Sequence, residues 1–337
     1  MKPTEKPRVI VITGASAGVG RAAVRAFARE GANIGLIARG HDGLEGAARD
    51  AEAHGGKALM LPADVADADA VEAAAERVER GFGPIDVWVN VAMTSVFSPV
   101  REMKAEEYKR VMEVNFLGYV HGTLAALRRM LPRDRGRIIQ VGSALAYRGI
   151  PLQSAYCASK HAIQGFMDSL HAELLHDGSR VKACMLQMPG MNTPQFGWVK
   201  SRMPRKARPM APIYQPEVAA DAIVYASRHD RREMYVGLST VITVMGNKLL
   251  PGLGDLYLGK NGVDGQLTDE TESPERPDNL FEPVPGDHGA HGAFDERSKT
   301  RSPQLWTDKH RDALALGVIS LAAAGFLALF GRRVARE

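Results

Sequence analysis

The 337-residue chain has little sulfur chemistry, few aromatics and almost no charge imbalance: two cysteines, 6% aromatic residues and a net charge of +4 at pH 7. Cys157 and Cys184 are too few for a disulfide framework and lack metal-ligand spacing, so no metal site is expected, and the pair reads as reduced thiols packed in or near a core. The mild charge is dispersed and no nucleic-acid module is recognisable, which excludes nucleic acid as a partner. The opening MKPTEKPRVIVITG carries no small-residue cleavage pattern; it reads as a first strand, not a signal peptide, and the folded body is expected in the cytoplasm. What is present, 45% hydrophobic and 24% charged residues, excludes collagen-like, wholly disordered and multi-span membrane classes. The length exceeds the roughly 250–300 residues of a single core, so either a second domain or sequence outside the core is implied.

Short apolar runs at 8–13, 33–38, 58–62, 86–90, 137–141, 181–187 and 233–236 alternate with Ala-rich helical patterns at 20–30, 44–54, 69–81, 105–130, 155–176 and 216–228. Apolar strands each followed by a helix predict an α/β fold with a doubly wound parallel sheet, which places ligands at the carboxyl ends of the strands. Residues 261–312 are rich in Pro, Gly, Asp, Glu and Ser without periodicity and read as an irregular, mobile linker. Within it, 266–300 holds nine acidic residues against three basic ones, a net of −6 that leaves +10 for the rest of the chain. His288 and His291, also in this stretch, read as solvated loop residues. Residues 313–330 are uncharged and would span roughly 27 Å as a helix, so 313–331 reads as a membrane-associated hydrophobic helix, followed by a basic tail at 332–337.

Between the first strand and the first helix lies Thr13-Gly14-Ala15-Ser16-Ala17-Gly18-Val19-Gly20. Glycines so placed permit a tight turn and let backbone amides, including those around Ser16 and Val19, approach a pyrophosphate. The second strand ends on Arg39 where an acidic residue would suit NAD; a guanidinium suits a 2′-phosphate, so NADP (NADPH) is the expected cofactor over NAD. Asp64 and Val65 follow the third strand, where the carboxylate can accept from an adenine amino group. Tyr156 and Lys160 share one helical face at i, i+4, an ammonium beside a phenol favouring the phenolate, with Ser143 thirteen residues before Tyr156 and Asn115 in the helix 105–130.

TGASAGVG, Asn115, Ser143 and Tyr156-x-x-x-Lys160, in this order and spacing, resemble the short-chain dehydrogenase/reductase superfamily over about residues 8–240. The resemblance implies a Rossmann fold in 1–260 and roles for each residue. Tyr156 would be the acid-base at the substrate oxygen and Ser143 its hydrogen-bond partner. Lys160 would bind the nicotinamide ribose and tune Tyr156, while Asn115 would hold a water linking Lys160 to bulk. Pro189, Gly190 and Thr193 resemble the family's nicotinamide-contacting turn, and helices 105–130 and 155–176 would form a homodimer or homotetramer interface. Where the family reads Asn-Asn-Ala-Gly, this chain has Asn90-Val91-Ala92-Met93. Asn90 and Ala92 are retained, and Met93 brings a side chain beside the adenosine half. The stretch Asn279-Leu280-Phe281-Glu282-Pro283 and the Ala/Leu-rich segment after it resemble a bacterial subgroup whose substrates are mostly unassigned.

The segment 191–214 should lie over the active site, with Trp198, Met203 and Met210 facing a lipophilic substrate and Lys200, Arg202, Arg205, Lys206 and Arg208 facing an anionic group or lipid surface. The expected function is interconversion of a small-molecule carbonyl and a secondary alcohol by a cytoplasmic catalytic domain tethered to the membrane. The alternative is a catalytically silent nucleotide-binding sensor or membrane-recruited scaffold, which Val91 and Met93 permit and the intact tetrad opposes.

Overall fold

The computed structural model describes residues 6–314. Seven parallel strands, β1 (Val9–Thr13), β2 (Asn33–Ala38), β3 (Lys57–Pro62), β4 (Val87–Asn90), β5 (Arg137–Val141), β6 (Lys182–Gln187) and β7 (Glu233–Tyr235), form one sheet in the order β7-β6-β5-β4-β1-β2-β3. The order reverses between β1 and β4, the position at which open α/β sheets leave a crevice. β1 and β4 are buried along their whole length, which is why the sequence shows apolar runs there and not alternation.

Helices α1 (Gly18–Ala28), α2 (His41–Ala53) and α8 (Pro216–Ala226) cover one face. The other carries α3 (Ala68–Phe82), α4 (Ala105–Met112), α5 (Gly118–Met130) and the long α6 (Ser154–His176). The predicted helix 105–130 is helical throughout, but residues Glu113–Leu117 widen into a π turn in which the Gly118 amide reaches back to Glu113 O. After a short α7 (Gln195–Trp198), a helical hairpin of α9 (Leu238–Leu249) and α10 (Pro251–Asn261) stands at the carboxyl end of the sheet, and α11 (Pro303–Lys309) packs beside α8.

Residues 261–312 correct the expectation of a linker. Leu267–Thr271 pairs antiparallel with Arg205–Ala207, and Ser298–Lys299 pairs with Ile213–Tyr214. Leu280 is buried among Val96, Val111 and Ala155. The segment is irregular because its polar groups are satisfied by the body: composition registers the missing period but not partners distant in sequence. Among the described residues no helix is long and apolar enough to cross a membrane, and the predicted hydrophobic helix 313–331 lies outside them apart from its first two residues.

Candidate active site

One cleft of about 840 Å³ runs along the carboxyl ends of the strands. Fourteen of the predicted site residues line it: Gly14, Ser16, Gly18, Val19, Arg39, Asp64, Val65 and Ala92 towards one end, and Ser143, Tyr156, Lys160, Pro189, Gly190 and Thr193 towards the other. Gly20, Asn90 and Asn115 stand behind it. The turn after β1 depends on its glycines. Gly14 and Gly18 have φ of +68° and +57°, and a Cβ on Gly14 would come within 2.7 Å of the Ala92 backbone. Gly20 meets Gly14 O so closely that a Cβ would fall 2.1 Å from it, so its part is packing of helix on strand. Thr13 Oγ1 accepts from the Val91 and Ala92 amides and ties the turn to the end of β4. Asn90 is fully buried, accepting from Trp88 Nε1 and donating to Gln140 Oε1. Met93 lines the cleft without a left-handed backbone, so replacing the family's glycine costs no strain in φ.

At the other end, Tyr156 lies in the first turn of α6 and Lys160 one turn on, with Lys160 Nζ 5.5 Å from the Tyr156 ring centre. Lys160 is buried and donates to Val141 O at 2.8 Å and Tyr119 Oη at 3.2 Å. Tyr119, four residues after Asn115, was not foreseen; it is buried, donates to Val141 O and accepts from Lys160. Burial lowers Lys160 to about 7 and raises Tyr156 above the usual phenol range, the Ser143 hydroxyl beside Tyr156 pulling the other way. Tyr119 is pushed up by burial and by the proximity of Tyr156. Ser143 is held at the end of β5 by its own amide, which donates to Gln187 Oε1; Gln187 in turn donates to Glu233. Gln187 and Glu233 were also missed, since nothing local distinguishes a buried strand glutamine that orients a neighbour. Asn115 accepts from the Thr94 amide and donates to Thr94 O and Ser159 Oγ, bracing α6 from behind.

The adenosine end differs from expectation. The Arg39 guanidinium donates to the carbonyls of Asn279 at 2.5 Å and Phe281 at 2.6 Å, and Arg110 donates to Leu280 O and pairs with Asp64. The Gly18 amide donates to Gly289 O, and Arg21, almost fully buried, binds Asp287 as well as Asp50. Residues 279–292 thus form a strap along the cleft, contributing Asn279, Pro283, Val284, Gly286 and His288 to its wall. His288 also packs edge-on against Trp198 and His291 bonds to Glu217, and both stay exposed, as expected of solvated loop residues. The bases of 191–214 are engaged too: Lys200 with Asp278, Arg202 with Glu107, Arg205 with Asp264 and Lys206 with Glu270. That corrects the expectation that they await an outside anion, because the tail supplies the partners of Lys200, Arg205 and Lys206 and α4 supplies that of Arg202.

The short chain dehydrogenase family profile matches residues 8–202. YxnA of Bacillus subtilis, an uncharacterized oxidoreductase, is 31% identical over 326 residues, 95% of this chain and 91% of its own. A fatty acyl-CoA reductase of Acinetobacter baylyi is 32% identical over 242 residues, covering 71% of this chain and 79% of that one. Among solved structures, a metagenomic short-chain oxidoreductase in complex with NADP is 28% identical with a TM-score of 0.58, covering 68% of this chain and 97% of that one. An alcohol dehydrogenase of the archaeon Thermococcus sibiricus complexed with 5-hydroxy-NADP has a TM-score of 0.59 at 28% identity, covering 68% and 96%. With the glycine turn, the Ser–Tyr–Lys cluster and the sheet order all in place, the chain belongs to the short-chain dehydrogenase/reductase family of oxidoreductases.

Proposed function

We propose that the protein is an NADP(H)-dependent oxidoreductase that interconverts a ketone and a secondary alcohol on a lipophilic small molecule. The observation that carries this reading is the convergence of Ser143, Tyr156 and Lys160 at one end of a cleft whose other end holds Arg39 and Asp64. The cradle fits a dinucleotide: Gly14 and Gly18, both with positive φ, hold a tight turn after β1 that lines the cleft, and Gly190 lines it at the other end. The cofactor, when bound, supplies or accepts the hydride. Tyr156 gives its proton to the carbonyl oxygen in reduction and takes it back in oxidation, and the Ser143 hydroxyl bonds that oxygen and fixes its position. Lys160, held by Val141 O and Tyr119 Oη, favours the phenolate in its protonated form, which burial confines to about pH 7 and below, and Asn115 would keep α6 and the water leading to Lys160 in register. Pro189, Gly190 and Thr193 would contact the nicotinamide half.

Preference for NADP over NAD is supported by Arg39 and Arg110, whose mutual repulsion lowers the Arg39 pKa second only to burial and would be relieved by a phosphate. A homodimer through α5 and α6 is supported by Leu117, Leu124 and Leu131, exposed at a spacing of seven along one helix face. Tethering by 313–331 remains part of the proposal on its sequence alone.

Tyr156→Phe is the test: turnover with NADPH across carbonyl compounds of graded hydrophobicity is expected to fall by about 10²–10⁴ while NADPH affinity changes little. Retained turnover removes Tyr156 from the role. The alternative, a silent sensor, draws on the strap's hold on Arg39 and the Gly18 amide; fluorescence titration that detects neither NADPH nor NADH binding would favour a scaffold over both readings.

A further inference from the structure

Helix α9 has its apolar face turned the wrong way for a soluble protein. Leu238, Ile242, Met245 and Leu249, at i, i+4, i+7 and i+11, form a stripe that points to solvent, while Thr240 and Val244 face inward. α10 continues it with Leu253, Leu256 and Tyr257, and Leu250 joins the two helices. All eight side chains are between 48 and 73% exposed. The hairpin is seated on the body by Arg148, which donates to Asn247 Oδ1, Pro251 O and Asp255. That contact neutralises the only exposed acid of the hairpin and leaves Lys248 and Lys260 as its exposed charges. Single exposed apolar residues are ordinary, but eight on consecutive helices mark a binding surface.

Its position selects the occupant. Ile242, Leu250, Leu253 and Tyr257 are exposed and also line the cleft, so the substrate end opens through this surface. A second copy or a folded protein seated on these side chains would cover the mouth. A lipid surface would instead deliver ligand through it, and two lysines without a counter-charge suit anionic headgroups.

We infer that α9 and α10 insert into the headgroup region of an anionic bilayer, so that amphiphilic substrate enters the cleft directly from the lipid phase. The insertion does not depend on the catalytic reading above; the substrate route rests on it.

The test uses the full chain with Leu256→Cys carrying an environment-sensitive fluorophore. Cys157 and Cys184 are buried and burial raises both thiol pKa values, Cys157 to about 11, so labelling is confined to the new site. With phosphatidylcholine–phosphatidylglycerol vesicles the emission should shift to the blue and be quenched by lipids brominated on the acyl chain, as for a group about 5–10 Å inside the boundary. The same label on exposed Lys104→Cys should show neither change. The Tyr156→Phe form should insert equally, which separates failure of insertion from failure of the catalytic reading. Vesicle binding without quenching at 256 would assign attachment to another part of the chain and overturn the proposal. A blue shift without lipid that grows with protein concentration would also overturn it, in favour of a second copy.

Discussion

Lys160 shows how the site costs the fold something. In the unfolded chain it keeps its ordinary pKa of 10.5, whereas burial lowers it to about 7 in the folded protein. Between those values the unfolded state binds a proton that the folded state does not, so stability rises with pH across about 7 to 10.5 and is lowest, through this group, below 7. Lys160→Met keeps the length and removes the titration. It should raise the unfolding free energy at pH 7 by on the order of a few kcal/mol, flatten this slope in denaturant melts at several pH values, and abolish turnover. A slope unchanged by the substitution would mean that Val141 O and Tyr119 Oη already stabilise the ammonium against burial. The lysine itself was legible from its spacing to Tyr156. Tyr119 was not, because its part rests on Val141 O and Lys160, which lie 22 and 41 residues away and leave no local signal.

The strap 279–292 is an element without regular structure, held by side chains of the body. Arg21 grips Asp287, Arg39 and Arg110 grip the carbonyls of 279–281, and the Gly18 amide grips Gly289. The arginine bonds among these are charge-assisted and contribute about 1.5–3 kcal/mol each. Asp287→Ala leaves Arg21 its bond to Asp50 at 2.7 Å, so the fold should persist while the strap loosens. The expected result is NADPH dissociation faster by about tenfold or more in stopped-flow fluorescence, the factor that 1.4 kcal/mol represents. An unchanged rate would leave the strap as a packing element only. The strands and helices of the body were readable because each buries an apolar run against its neighbours in sequence. The strap was read as linker because its order comes from arginines more than 150 residues away, and an arginine looks the same whether it awaits a phosphate or holds a carbonyl.

At the scale of the molecule, the +4 net charge conceals a basic body closed by an acidic tail, and the two neutralise each other in contact rather than at a distance. The likeness to YxnA runs over 95% of the chain, whereas the NADP-complexed structures cover 68%, so the tail belongs to a narrower group than the sheet does. This makes residue 260, the boundary that composition suggests, the wrong place to cut. A chain ending there would lose the Asp287 partner of buried Arg21, empty the pocket that Leu280 fills with Val96 and Val111, and leave Arg205–Ala207 without its paired strand. It would also lose Gln266, fully buried and bonded to Gln153 Nε2 and Pro151 O. Asp287 is 31% exposed and Arg21 keeps Asp50, so that loss alone is modest; the emptied Leu280 pocket, the unpaired strand and the orphaned Gln153 and Pro151 together remove a large share of a total stability of about 5–15 kcal/mol. The chain ending at 260 should therefore show no cooperative melt by circular dichroism, or a midpoint lowered by about 10 °C or more, and no NADPH-induced rise. One ending at 314 should melt as the full chain does and rise with NADPH. If the shorter chain melts at the parent temperature and still responds to NADPH, the tail is an accessory to a body that stands alone, and the strap's grip on Arg21 and Arg39 contributes little to either folding or binding.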